Sequence, residues 1–204
     1  MKAARSDMKA ASWPPGTHYV DEANLAAAFF TGVTQGGDAP LMYEKRAQSW
    51  QGRSWNEVAN SVRQMASVLV DAGVSAGDRV MISAENRPEW AIADLAIMAI
   101  GAIVVPAYVT NTEDDHYFIM DHSGASAVIT SGGLLGARIA LAASRAPGLQ
   151  MMILMDDDAT VPPVKSVKTR YWNEALGAAE PLADLDRRIA RQKPDDVCCF
   201  IYTS

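Results

Sequence analysis

Apolar and polar positions follow two rhythms along the chain, and the densest apolar passage lies between Gly77 and Val109. Arg79-Val80-Met81-Ile82-Ser83 is a short apolar run closed by Glu85-Asn86, and Ile103-Val104-Val105-Pro106 is a second. Short runs of this kind, bounded by turn residues, read as buried strands. Between them Pro88 suits the first turn of a helix, where the amide it lacks would have no partner, and Gly101 suits its end. Trp90, Ile92, Leu95, Ile97, Met98 and Ile100 cover most of the helix circumference, with Glu89 and Asp94 as its charges. A helix apolar nearly all round is buried between layers, and Trp90 is expected to be largely buried with it. Strand, buried helix and strand make a βαβ unit with a right-handed crossover. The uncharged run from Leu95 to Val109 falls short of the roughly 18–20 residues needed to cross a bilayer, so no membrane span is predicted.

The same reading extends in both directions. Asp21 is placed to cap a helix carrying Leu25, Ala26, Phe29 and Phe30, ended by Gln35-Gly36-Gly37-Asp38. Leu41 to Glu44 and Ser49 to Gln51 read as a small hairpin. Ser54-Trp55-Asn56-Glu57 fits a capping box, serine to the third amide and glutamate back to the cap. Trp55, Val58, Ala59, Val62, Met65, Ala66 and Leu69 then recur at helical spacing until Gly73. Beyond Val105, Thr112 to Asp115 can cap a helix running to Gly124, Ala127 to Thr130 is a strand, Leu134 to about Ala146 a helix, and Met151 to Leu154 a strand. Residues 156–194 are less regular, with helices at Trp172 to Gly177 and Leu182 to Arg191. Val197 to Tyr202 is expected as a last strand. This alternation predicts an α/β fold with a largely parallel sheet and flanking helices.

Composition narrows the class. The chain has 204 residues, 49% of them hydrophobic and 21% charged, with a net charge of −6. That balance suits a globular protein and gives no general attraction to nucleic acid. Residues 1–20 read as a disordered lead-in: Met1 to Lys9 is basic with no apolar stretch behind it, so it is not a secretory signal. Cys198 and Cys199 are adjacent. In a strand they would face opposite sides, unable to share a metal, and the expectation is two small buried residues in a reducing compartment. Asp156-Asp157-Asp158 lacks the glycine and glutamate of a calcium loop and reads as a solvated turn. His116 and His122 fall on opposite faces of their helix, which argues against a shared metal. Ser131-Gly132-Gly133 sits between strand and helix, but without the spacing of a dinucleotide fingerprint it reads as a plain turn. These features point to a cytoplasmic protein, with peripheral membrane attachment left open.

The stretch from Lys193 to Ser204 is apolar and ends in hydroxyls, Tyr202-Thr203-Ser204. Together with Gly77-Asp78-Arg79-Val80, Glu85 to Trp90, Ala93 to Ala96, Gly101 to Tyr108 and Asp121 to Ala125, it resembles the AMP-forming acyl-CoA synthetases of the adenylate-forming superfamily. The long-chain fatty acid subgroup fits best. No single tripeptide is specific, but the ordered set at these spacings is, and it runs from about Asp21 to Ser204.

The resemblance implies that residues 21–204 are the first part of the large N-terminal domain of such an enzyme, incomplete and cut inside its phosphate loop. Family members use ATP with magnesium to turn a carboxylic acid into an acyl-adenylate, and coenzyme A then displaces AMP. In the family a loop of sequence Tyr-Thr-Ser-Gly-Thr-Thr-Gly-x-Pro-Lys-Gly holds the phosphates. Tyr202, Thr203 and Ser204 match its opening as nucleotide-binding residues, and Thr203 matches the hydroxyl that meets magnesium. No catalytic residue is assigned. The implied partners are a fatty acid, ATP and coenzyme A, with a homodimer or a missing second half left open, and the chain by itself is expected to be inactive. Two alternatives stay open: a non-enzymatic interaction module that keeps the fold, and a synthetase for an aryl, medium-chain or carnitine-type acid.

Overall fold

A computed structural model describes residues 22–203. The expected lead-in at 1–20, the cap at Asp21 and the hydroxyl of Ser204 lie outside the described residues. The first helix, α1 (Leu25–Gly36), is capped instead by Asn24, whose side chain accepts from the Ala27 amide. Strands β1 (Pro40–Arg46) and β2 (Ser49–Ser54) pair as an antiparallel hairpin. Its turn residues Ala47 and Gln48 have φ of 45° and 71°, the positive pair that a two-residue mirror-image turn requires.

Helix α2 (Trp55–Asp71) starts where the capping box placed it. Ser54 Oγ accepts from the Glu57 amide at 3.2 Å, and Glu57 accepts from the Ser54 amide at 2.7 Å. Its stripe of Val58, Ala59, Val62, Met65, Ala66 and Leu69 is buried. Trp55 stacks on Phe29 instead. The close approach of α1 to that indole explains Gly36, where a Cβ would lie 2.2 Å from the ring.

The core is a five-stranded sheet built from β3 (Arg79–Ser83), β4 (Ile103–Pro106), β5 (Ala125–Thr130), β6 (Met151–Leu154) and β7 (Lys168–Tyr171). Spatial order is β4-β3-β5-β6-β7, and every neighbouring pair is parallel. The crossovers are α3 (Pro88–Ala99), α4 (Glu113–Ser123) and α5 (Gly133–Ala143), and the chain closes with α6 (Trp172–Gly177) and α7 (Leu185–Arg191). Strand β7 was not expected. Its sequence, Lys-Thr-Arg-Tyr, has no apolar run, because it is an edge strand.

Alternate strand residues feed two cores. Val80, Ile82, Val104, Ala127, Ile129 and Ile153 face α1, α2, α3, α6 and α7. Met81, Val105, Val128, Met152 and Leu154 face α4 and α5. Both faces of the sheet are thus covered, as parallel sheets require. Among the described residues, no helix is long and apolar enough to cross a membrane.

Two predictions follow from the caps and the core. Ser54→Ala should lower stability by about 1 kcal/mol through loss of one half of the capping box, read as a lower urea midpoint at unchanged slope. An unchanged midpoint would remove the cap from the account.

The second concerns His116. The residue is fully buried on α4 and neither ring nitrogen has a hydrogen-bond partner. Burial, aided by Arg138 and opposed by Asp115, pushes the imidazole down to about 4, against about 6.5 in an unfolded chain. Between those values the unfolded chain binds more protons than the folded one, so this group's contribution to stability falls as pH drops from about 6.5 to about 4. The full effect is on the order of 3 kcal/mol. Asp94 acts in the opposite sense, since burial raises its carboxyl to about 6 and protonation there favours the folded state. The His116 contribution is therefore read as a difference: His116→Leu should gain on the parent chain as pH falls from 7 to 5. A pH-independent difference would show that the imidazole is not held neutral by the core.

Candidate functional site

In open parallel sheets, ligands bind beyond the carboxyl ends of the strands where the strand order reverses. Here the chain leaves β3 for β4 on one side and returns to β5 on the other, so the reversal lies between β3 and β5. Ser83, Ala84 and Glu85 leave β3 at that point, and Thr130, Ser131 and Gly132 leave β5. Ser83 and Thr130 are fully buried, and Ser83 Oγ has no partner. Ser131 Oγ donates to Glu85 Oε2 at 2.5 Å, joining the two strand ends.

Beside this point a groove of about 490 Å³ opens at the carboxyl ends of β3 and β4. Trp90, Pro106, Tyr108, Val109, Ile201 and Tyr202 line it, with Glu85 and Asn86 at one end. Trp90 is largely enclosed, as its helix position suggested: it packs against the core and leaves part of its ring on the groove. The helix is enclosed along most of its length, but its first turn reaches the rim of the sheet, where the indole becomes a groove wall. A smaller hollow of about 350 Å³ adjoins it, lined in part by Tyr108, Asn111, Phe118, Tyr202 and Thr203.

The last stretch reaches this rim along the outside of the sheet. A strand was expected from Val197 to Tyr202, but the structure has a single parallel bridge, Val104 to Cys199. The Val104 amide donates to Cys198 O at 2.9 Å, and the Phe200 amide donates to Val104 O at 2.9 Å. Cys198 and Cys199 are both exposed, which corrects the expectation of burial. The reason is topological: β4 is the edge of the sheet, and nothing among the described residues covers the segment lying against it. The Cys199 thiol is nevertheless pushed up, by desolvation first and then by Cys198 and Asp94.

Tyr202 is anchored where the segment ends. Its hydroxyl lies 2.9 Å from His122 Nδ1, and its ring meets Phe118 and His122 edge-on. Burial pushes its phenol up despite a hydrogen bond with Ser123. Thr203 is exposed at the mouth of the smaller hollow. The two histidines part company, as their spacing implied: His122 stacks on Phe118 while His116 is enclosed.

Behind the groove, charged side chains tie the loops together. Arg87 donates to Glu89 at 2.8 Å and to Asp156 at 2.7 Å. Arg53 bridges Glu89 and Glu44 at 3.3 Å and 3.0 Å. Asp156 also accepts from the Gly132 amide at 2.7 Å. Burial alone would raise the Asp156 carboxyl, but the Gly132 amide and Arg87 hold it below the ordinary range. Asp156 is therefore a structural tie at the start of the exposed turn that Asp157 and Asp158 make, as expected, and Asp157 is bonded to Asn173. The Ser131-Gly132-Gly133 turn holds an internal carboxylate, in keeping with its reading as a plain connection. Sequence spacing could not reveal this tie, because Arg87 and Asp156 are 69 positions apart.

No lysine or arginine lines the groove or the hollow beside it. Among the described residues, no group of three or more His, Cys, Asp or Glu side chains could hold a metal ion. Thr203 offers one hydroxyl and Tyr202 an aromatic wall. The described residues thus place one hydroxyl, that of Thr203, at this rim.

Comparison with known proteins accords with this frame. A family model described as AMP-binding enzyme matches residues 29–204. The long-chain-fatty-acid–CoA ligase FadD15 of Mycobacterium tuberculosis is 29% identical over 181 residues, covering 89% of this chain and 29% of that protein. The mouse long-chain-fatty-acid–CoA ligase 6 is 32% identical over 200 residues, covering 92% of this chain and 28% of its own length. The chain thus spans under a third of these relatives. A crystal structure of a benzoate CoA ligase from Burkholderia xenovorans superposes on 88% of the chain and 32% of its own with a TM-score of 0.70 at 23% identity, a likeness of fold. With the family model spanning most of its length, the chain belongs to the AMP-binding enzyme family.

Proposed function

We propose that this chain is the first part of the large domain of an ATP-dependent fatty acid–CoA ligase. In that reaction a fatty carboxylate attacks the α-phosphorus of ATP, pyrophosphate leaves, and coenzyme A takes the acyl group from the adenylate. The reading is supported by the fatty-acid ligases among the relatives. The single observation that carries it is the delivery of Tyr202 and Thr203, along the edge of β4, to the carboxyl rim of the sheet. That rim is where a nucleotide is expected in a parallel α/β fold.

In this reading the described residues act as a platform. The His122–Tyr202 bond and the Phe118 contact hold the peptide before Thr203 against α4. A loop that starts from a fixed point loses less conformational freedom when it closes on a ligand. Thr203 and Ser204 would be the first hydroxyls of the phosphate loop, Thr203 near the magnesium that accompanies ATP. The remaining amides, the lysine and the acyl and coenzyme A pockets would come from polypeptide that this chain does not contain, so residues 1–204 alone would be inactive.

The test is acid-dependent exchange of labelled pyrophosphate into ATP. Residues 1–204 should show none. The chain joined in frame to its downstream coding sequence should show exchange with a long-chain acid, and Thr203→Ala in that longer protein should lower it on the order of 10²-fold. Robust exchange from residues 1–204, or wild-type exchange with Thr203→Ala, would overturn the reading. Failure of the longer, folded protein to exchange with fatty, aryl or carnitine-type acids would point instead to a module that keeps the fold without the chemistry.

A further inference from the structure

The sheet is open where the last segment runs beside β4. The bridge there turns the Cys198 carbonyl and the Phe200 amide toward Val104. Backbone groups alternate sides along an extended chain, so the amide and carbonyl of Cys199, which lies between them, point away from the sheet. Among the described residues, no hydrogen bond reaches the backbone of Val197, Cys199 or Ile201. Their side chains are open as well: Val197 is 56% exposed, Ile201 is 67% exposed, and Cys199 is exposed.

Charge bears on what covers this edge. From Val197 to Ser204 the chain carries no charge and no proline, and most of its residues favour strands. The opposite edge, β7, carries Lys168 and Arg170, charges of the kind that keep edge strands from pairing. The edge at 197–203 has no such guard. Within the 204 residues, the polypeptide outside the described part is 1–21 and Ser204. Residues 1–21 hold Lys2, Arg5, Asp7, Lys9 and Asp21 together with Pro14-Pro15, a poor strand to add there. A second copy of the chain suits the edge. Antiparallel pairing of one edge with itself is generated by a two-fold axis, and an uncharged segment brings no like charges opposite each other.

We propose that two copies of this chain pair through this edge, antiparallel about a two-fold axis at Cys199, and join their sheets into one. Cys199 donates its amide to the carbonyl of the partner's Cys199 and accepts from its amide. Val197 lies opposite the partner's Ile201, and Ile201 opposite the partner's Val197. Centring on Cys199 thus pairs all three positions whose backbone groups are free. In such a hydrogen-bonded pair the Cα atoms lie about 5.5 Å apart, within the roughly 4.4–6.8 Å that a disulfide spans. The two Cys199 thiols then share one side of the joined sheet, whereas Cys198 lies opposite the partner's Phe200. The proposal rests on the edge and not on the ligase reading.

The experiment measures the mass of the 204-residue chain by size-exclusion chromatography with light scattering, over a dilution series in reducing buffer. A dimer that dissociates on dilution is expected. Val197→Lys and Ile201→Lys, made separately, should each weaken it about tenfold or more while the far-ultraviolet spectrum is kept. Single-cysteine variants read the register. With oxidised glutathione, Cys198→Ser should form a covalent dimer through Cys199: two thiols lose two protons and two electrons, and the glutathione disulfide leaves as two glutathione thiols. Cys199→Ser should cross-link about tenfold more slowly or less. A chain that stays monomeric through the series, assembly beyond two copies, lysine variants that dimerise like the parent, or equally fast cross-linking through Cys198 would each overturn the proposal. None of these outcomes bears on pyrophosphate exchange, so the two readings fail separately.

Discussion

A parallel sheet cannot leave a face to water, because its crossovers must return each strand over one side or the other. The molecule is organised by that constraint. Strands β3, β4, β5 and β6 each carry apolar residues on both faces, and the two cores they feed are separate lists of side chains. Helix α3 is enclosed because it has α2 on one side and the sheet on the other, which is why Ala93, Ala96, Ile97 and Ala99 are without exposure. Trp90, Ala91, Asp94 and Leu95 stay partly exposed, and Trp90 both packs against the core and walls the groove.

At the carboxyl end of the sheet the loops have no core to fix them, and charge takes over. Arg87 joins the turn before α3 to Asp156 after β6, and Asp156 holds the Gly132 amide at the start of α5. Glu89 is nearly buried and lies between Arg87 and Arg53, which connects the same cluster to the hairpin. Breaking such a cluster leaves a buried charge uncompensated, so its members depend on one another more than on their separate strengths. The result is a rim whose strand ends and helix starts keep a fixed relation although three different loops and the hairpin build it.

The edge of β4 is the place where the fold is least closed. One bridge, made of two backbone hydrogen bonds, attaches the last segment to the edge, and Val197, Phe200 and Ile201 remain open to solvent. An edge strand with unpaired groups invites a partner chain. Here that edge guides the segment toward the rim, where His122 and Phe118 take hold of Tyr202.

Hydrophobic periodicity, caps and turn residues determined much of this protein by themselves, because each acts over a few neighbouring positions. The Ser54–Glu57 box, the Pro88 start, the stops at Gly73 and Gly101, and the βαβ rhythm all stand as read from the chain. The family signature was equally local, a series of short matches in order. Tertiary structure decided what distance along the chain hides. Strand β7 has no apolar run of its own and is a strand because β6 offers it an edge. Asn24 caps the first helix, and it reaches Ile189 only through the fold. The cysteines read as buried because their stretch is apolar, yet they are exposed because the strand they follow is an edge. Asp156 looked like solvent-facing turn, and only the arrival of Arg87 and the Gly132 amide makes it a tie. Burial and ion pairing depend on which remote elements pack together, and one linear pattern does not encode that.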